Sequence, residues 1–502
     1  MTDATDSASL RTRAVPLEMS PEQFRDAGHR LVDRVADLLG SIRERPVTRD
    51  ETPAALRALL GTGGLPEEGA DPARLLDQTA ELLMEHSLLN GHPKFFGYIT
   101  SSPAPIGMLG DLLAAAVNPN CGSWTLSPMA TLIEEQTVRW IAELIGYPPE
   151  CGGLLVSGGN MANFVCLLAA RAAKARKAEG SAADARLRVY ATAETHTWID
   201  KAATLFGLGA SGVRRVPTDS KLRMDVAALR GQVEADRAAG DVPMMVIGTA
   251  GSVATGAVDP LTDIARVCRD FDLWFHVDGA YGALAAAVPG APVALAGLGA
   301  AHSVAVDPHK WLYAPMEAGC ALVRSPALLR DAFAHRPSYY QFDREDERDA
   351  PPNYYEMGPQ NSRGFRALKV WLGLRQAGRE GYARMIADDI RLAAELYRVA
   401  DAHPELEAVT QGLSITTFRY VPREMNAKDP ANLDALNALN SEILTRLQRG
   451  GEVFVSNAIV GGAYLLRACV VNFRTTLADI EALPEIVARC GREVHATRRP
   501  AP

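Results

Sequence analysis

The feature that most constrains this chain is a set of short apolar runs between helical stretches, from about residue 125 to 330, that show no polar alternation. They fall at 154–156, 189–191, 244–247, 273–277, 304–306 and 320–323. A strand with one wet face alternates apolar and polar residues, so continuous runs point to strands buried on both faces of a mostly parallel sheet. Such a sheet holds ligands outside the carboxyl ends of its strands. Each run here ends in glycine or polar residues, and candidate chemistry is sought there.

The flanks read differently. Residues 1–18 are polar and read as an arm. Ser20 can cap a helix with Pro21 at its first position, and Phe24, Leu31, Val32, Val35, Leu38 and Leu39 follow with helical period. An acidic, glycine-containing loop at 61–71 precedes a second amphipathic run at 75–89. After about 365 the pattern is helical through 397. Strand-like segments at 414–418, 453–456 and 464–473 then surround a helix at 433–447. The 502 residues exceed one core. The expected division is a helical dimerisation segment at 19–100, a large α/β domain at 101–390 and a small α+β domain at 391–502.

A net charge of -8 without clustered Lys and Arg argues against nucleic-acid binding. Seven scattered cysteines with no CxxC spacing disfavour a disulfide framework or a metal site. No apolar stretch suits secretion or a membrane crossing, so a cytoplasmic location is expected.

Four segments carry chemistry. In SVAVDPHKWLY, His309 and Lys310 follow a buried strand. Desolvation there moves a lysine toward the neutral amine that Schiff-base formation needs, although a lysine in such a loop is more often simply solvated. In LWFHVDGAYGA, an apolar strand delivers Asp278 to the same edge, where a carboxylate needs a cation or a helix end to cap. The protonated pyridine nitrogen of pyridoxal 5′-phosphate (PLP) is such a cation. In GGLLVSGGNMANF, a strand ends at Ser157, two glycines turn the chain and a helix begins near Asn160, which suits an anion. His196, in ETHTWIDKAA, can stack on a planar ring or merely cap the turn.

Together with HPKFFGY at 92–98, SWTLSPMATLIEE at 123–135 and SRGFRALKVW at 362–371, these segments resemble the group II PLP-dependent decarboxylases, the aromatic-amino-acid and glutamate decarboxylase family. The resemblance implies an α/β architecture, the type I aminotransferase-like fold, as a swapped homodimer. It implies decarboxylation of an L-amino acid, with an aromatic or other neutral side chain expected. Lys310 would hold PLP, Asp278 would pair with the pyridine nitrogen, His196 would stack on the ring and Ala280 would pack beneath it. His309, Gly159, Asn160 and Met161 would hold the phosphate. Tyr98 and Arg467 would meet the substrate, the plain alternative for Arg467 being a surface ion pair. Tyr354, in the loop-like stretch QFDREDERDAPPNYYEMGPQ, is expected to donate the proton to the substrate carbon, with Tyr355 as its one-residue alternative. The chain departs from many relatives at Gly251-Ser252-Val253, and residues 99–101 and 120–123 make a less aromatic pocket. An aminotransferase, an aldehyde synthase and a catalytically silent PLP-binding protein are the rival readings.

Overall fold

The computed structural model describes residues 11, 13, 15–175, 186–335 and 352–498. Helices α1 (Pro21–Ser41), α2 (Pro53–Leu60) and α3 (Pro72–His86) come first. Ser20, Thr52 and Asp71 cap them by accepting from the backbone N–H of Gln23, Ala55 and Arg74, and each helix opens with proline. Proline suits that position because its missing N–H would have had no helical partner. Few side chains of these helices are buried: Ala27 in α1, none in α2 and Ala80 in α3. Phe24, Val32, Leu60, Leu75 and Leu83 are exposed instead. Helix α4 (Pro105–Val117) likewise exposes Leu109, Leu112, Leu113 and Val117. Helix α5 (Pro128–Leu144) is well buried.

The central unit runs β1 (Gly152–Val156), α6 (Gly159–Ala175), β2 (Leu187–Ala191), α7 (Trp198–Leu205), β3 (Val213–Arg215), α8 (Val226–Ala238) and β4 (Val242–Thr249). It continues with α9 (Leu261–Asp270), β5 (Trp274–Asp278), β6 (Ser303–Val306), β7 (Gly319–Val323) and α10 (Pro326–Phe333). The strand order is β1-β7-β6-β5-β4-β2-β3. Strands β2 to β6 are parallel, and β7 runs antiparallel to β6 and to β1. The carboxyl ends of β1, β2, β4, β5 and β6 therefore share one edge. Every residue of β1, β5, β6 and β7 is buried. Neighbouring residues face opposite layers: Leu155 and Val246 enter one core cluster, Leu154, Val156 and Ile247 the other.

All six apolar runs are strands, but β7 is reversed because the 307–318 connection holds no helix to carry the chain back across the sheet. Strand β3 was missed. It lies at the sheet edge, and two of its three residues are arginines.

Helix α11 (Ala367–Asp401) is bent at Gly378, whose φ of 65° suits glycine. A four-stranded antiparallel sheet follows, built from β8 (Leu406–Gly412), β9 (Ile415–Tyr420), β10 (Ser456–Val460) and β11 (Ala463–Cys469) in the order β10-β11-β9-β8. Helix α12 (Leu433–Gly450) separates β9 from β10, and α13 (Leu477–Arg498) ends the described chain. The strand expected at 453–456 begins only at Ser456; Val453 and Val455 are buried without joining the ladder. Strand β8 carried no apolar run because it is a half-exposed edge. Most of the arm expected at 1–18, and residues 341–351 of the expected loop, lie outside the described residues. Among the described residues no helix is long and apolar enough to cross a membrane.

Candidate active site

The shared carboxyl edge opens into a cleft of about 190 Å³. Strand β5 delivers Asp278 to it. The carboxylate is held by two neutral donors: the indole Nε1 of Trp198 to Oδ2 at 2.8 Å, and the N–H of Ala280 to Oδ1 at 3.3 Å. Trp198 opens α7 and is wholly buried. Its rigid ring therefore fixes where Asp278 points while leaving the negative charge uncompensated by a cation.

Strand β6 ends in the Asp307-Pro308-His309-Lys310 turn. The Lys310 Nζ lies 3.0 Å from Asp307 Oδ2. Asp307 is buried, and its Oδ1 has no hydrogen-bond partner. His309 is buried too, and its Nδ1 donates to the Ala318 carbonyl at 2.6 Å. Burial lowers the His309 pKa, and the ring lines the cleft.

Strand β1 leads into the two glycines. Gly158 has φ of +92°, and a Cβ on Gly159 would lie 2.7 Å from Asp307 Oδ2, so neither position admits a side chain without displacement. The first helical bond runs from Ala162 N–H to the Gly158 carbonyl. The N–H groups of Gly159, Asn160 and Met161 precede it and are the free donors of a helix start. The Met161 side chain instead packs against the core beside α6.

His196 stands in the turn between β2 and α7. Its Nδ1 accepts from the Trp198 N–H at 3.3 Å, which leaves the neutral ring protonated on Nε2. Burial lowers its pKa, against an opposing pull from Asp278. Ala280, Tyr281, Thr249 and Val253 complete the walls. The departure at 251–253 puts Val253 on the cleft, while the Ser252 hydroxyl is spent within its own turn on Thr255 and Ala257.

This donor set fits PLP: free helix N–H groups for a phosphate, a neutral imidazole and a methyl for the two ring faces, a fixed carboxylate for a pyridinium and a lysine. The pyridoxal-dependent decarboxylase conserved domain matches residues 53–421. The chain belongs to this family. It is 33% identical over 465 residues to an aromatic-L-amino-acid decarboxylase of Bacillus atrophaeus, covering 92% of this chain and 94% of that one. It is 27% identical to a phenylacetaldehyde synthase of a Rosa hybrid cultivar, covering 93% of each. The crystal structure of Oryza sativa TDC with PLP and tryptamine superposes with a TM-score of 0.88 at 27% identity, over 96% of this chain and 99% of that one. The protein is a PLP-dependent amino-acid decarboxylase.

One expectation is not met within the single chain. Tyr354 does not line the Lys310 cleft; it lines a separate one with Glu135, Val138, Gly152 and Pro326, toward the amino end of β1. Its ring is 1% exposed, packed in the cluster of Leu154 and Met357 beneath the Arg363 guanidinium at 4.7 Å. Tyr355 is buried beside it, its N–H bonded to the Gly122 carbonyl. Arg363 is itself locked to the buried Glu134 and to the Cys121 and Leu155 carbonyls.

Tyr98 and Arg467 sit together rather than on the cleft wall. Arg467 Nη1 donates to the Tyr98 carbonyl at 3.3 Å and to Ser456 Oγ at 2.9 Å. The surface ion pair considered for Arg467 is excluded, since the residue is 2% exposed and its Nε and Nη2 have no partner. The Tyr98 ring is 57% exposed and leans on Phe454. The sequence reading missed Asp307 and Trp198. Asp307 was visible by the argument applied to Asp278, a carboxylate leaving a buried strand; nothing local marked Trp198.

Proposed function

We propose that this decarboxylase converts an L-amino acid with a neutral, aromatic side chain to its amine and CO2, as a cytoplasmic homodimer with Lys310 as the cofactor lysine. The observation that carries the reading is the meeting of Lys310, Asp278, His196 and the start of α6 in one cleft. Bound PLP supplies an electron sink for the pair left when the carboxylate departs. Asp278, aimed by Trp198 and Ala280, keeps the proton on the pyridine nitrogen. Neutral His196 would cover one ring face and Ala280 the other. His309 and the N–H groups of Gly159, Asn160 and Met161 hold the phosphate. The two unpartnered nitrogens of Arg467 are suited to a substrate carboxylate, with Tyr98 offering its ring to the side chain.

The substrate class rests on charge. Lys310 is the only Lys or Arg among the described residues lining the cleft, and Glu194 lines it as well. With Lys310 on the cofactor and Arg467 on the α-carboxylate, an acidic side chain meets no further Lys or Arg on the cleft wall among the described residues. The names of the Bacillus and Oryza relatives point the same way. Aldehyde formation, the reaction named for the rose relative, is the rival outcome; amine is favoured because the more similar Bacillus protein is named as a decarboxylase. The homodimer reading is supported by the open apolar side chains of α1 to α4; with it goes a division into a dimerisation segment at 19–100 and units at 101–390 and 391–502.

The test is incubation of the purified protein with PLP and a panel of L-amino acids, measuring CO2, amine and aldehyde. Tryptophan, tyrosine or 3,4-dihydroxyphenylalanine should give equal amounts of CO2 and amine. Faster turnover of glutamate or aspartate would overturn the substrate assignment.

A further inference from the structure

The Asp307 carboxylate has no role in the account above, yet its Oδ2 lies 3.0 Å from the nitrogen that must become the nucleophile. We propose that Asp307 is the acid–base residue for attachment of the cofactor to Lys310, an inference that rests on Lys310 being the cofactor lysine. A lysine held as an ammonium cannot attack an aldehyde; its proton needs an acceptor within hydrogen-bond reach.

Of the other titratable groups lining the cleft, Asp278, His309 and His196 are otherwise engaged, and Glu194 stands in the turn after β2, a different strand from the one that carries Lys310. Both Asp278 oxygens already accept, from Trp198 and Ala280. His309 Nδ1 donates to the Ala318 carbonyl, and its Nε2 is 3.7 Å from the same Asp307 oxygen, too far for a hydrogen bond. His196 Nδ1 is held by the Trp198 N–H. Asp307 keeps a second oxygen that is buried and unpartnered, so the carboxylate has lone pairs to spare.

The step balances. The Lys310 ammonium passes one proton to Asp307, and the freed amine pair bonds to the aldehyde carbon. A second proton moves from nitrogen to the former aldehyde oxygen. Asp307 returns its proton to that hydroxyl, which leaves as water while the nitrogen pair closes the C=N bond. The nitrogen keeps its third proton and its positive charge, and Asp307 is again a carboxylate beside it. No oxidant or further reactant is needed.

The experiment uses the full-length apoprotein and two probes. PLP reports covalent attachment through its absorbance change after mixing. Pyridoxine 5′-phosphate, which has no aldehyde, reports binding alone. Asp307→Asn keeps the shape of the side chain and should bind pyridoxine phosphate as the wild type does. It should attach PLP on the order of 10²-fold more slowly, the lower end of what a positioned acid–base group contributes. In Asp307→Ala, added formate should speed attachment by replacing the missing carboxylate. Attachment by Asp307→Asn at the wild-type rate would overturn the inference. Attachment and analogue binding weakened in equal proportion would overturn it too, by making Asp307 a support of the site only. A wild type that binds pyridoxine phosphate but never attaches PLP would sink the cofactor-lysine reading itself, a result distinct from either.

Discussion

Replacing Trp198 by Phe isolates the contact that aims Asp278. The change removes one N–H, bonded at 2.8 Å to an ionised acceptor, from a wholly buried site. A hydrogen bond to a charged group contributes about 1.5–3 kcal/mol, and the missing ring atoms add roughly 1 kcal/mol in a packed site whose neighbours include Phe164 and His276. The apoprotein should therefore lose about 2.5–4 kcal/mol, measured by urea unfolding followed by circular dichroism. A double-mutant cycle separates the bond from the packing. Asp278→Asn alone leaves a neutral acceptor, so the two changes should couple by roughly 1 kcal/mol. Bound PLP should be affected as well, since a carboxylate free to swing holds the pyridine nitrogen less well: the affinity for pyridoxine phosphate should fall in Trp198→Phe. Strictly additive effects, within about 0.5 kcal/mol, with unchanged analogue affinity, would refute the claim that Trp198 acts through Asp278.

Tyr354→Phe should leave amine as the product at near-native turnover, because within the chain the ring is buried away from the cleft; a switch to aldehyde under air would restore the tyrosine to the mechanism. Glu134→Gln should destabilise the fold by about 3–5 kcal/mol, since it leaves the buried Arg363 without its counter-charge; unfolding midpoints would measure this. Asp389, on α11, accepts from Trp311 Nε1 and the Tyr313 hydroxyl just beyond Lys310, and burial pushes its pKa up from 3.8 to about 7. The unfolded chain ionises first, so this residue's stabilising share is full below pH 3.8 and is lost as pH rises to about 7. Asp389→Asn should gain on the wild type in stability between pH 5 and pH 8, and a constant difference across that range would count against a raised pKa.

What was legible in the sequence follows the range of the forces involved. Strands β1, β2 and β4 to β6 declared themselves because burial on both faces forces continuous apolar runs, and Lys310, Asp278, His196 and Gly159 were legible as the residues those strands deliver to the edge. The direction of β7 was not, since a buried strand has the same composition either way round. Edge strands β3 and β8 bury too little to leave a pattern. Trp198 reads as an ordinary core residue, because its partner Asp278 is 80 positions away. The setting of Tyr354 was illegible for the converse reason: the proline and charge around it look like an exposed loop, while Leu154, Met357 and Arg363 bury it through contacts that no local pattern encodes.

The central claim is that Lys310 carries the cofactor. Borohydride reduction of the protein with PLP, followed by peptide mass spectrometry, fixes the adduct to one side chain. The account requires the phosphopyridoxyl mass on the peptide containing Lys310 and its loss in Lys310→Ala. An adduct on another lysine, or one that persists in Lys310→Ala, would contradict it.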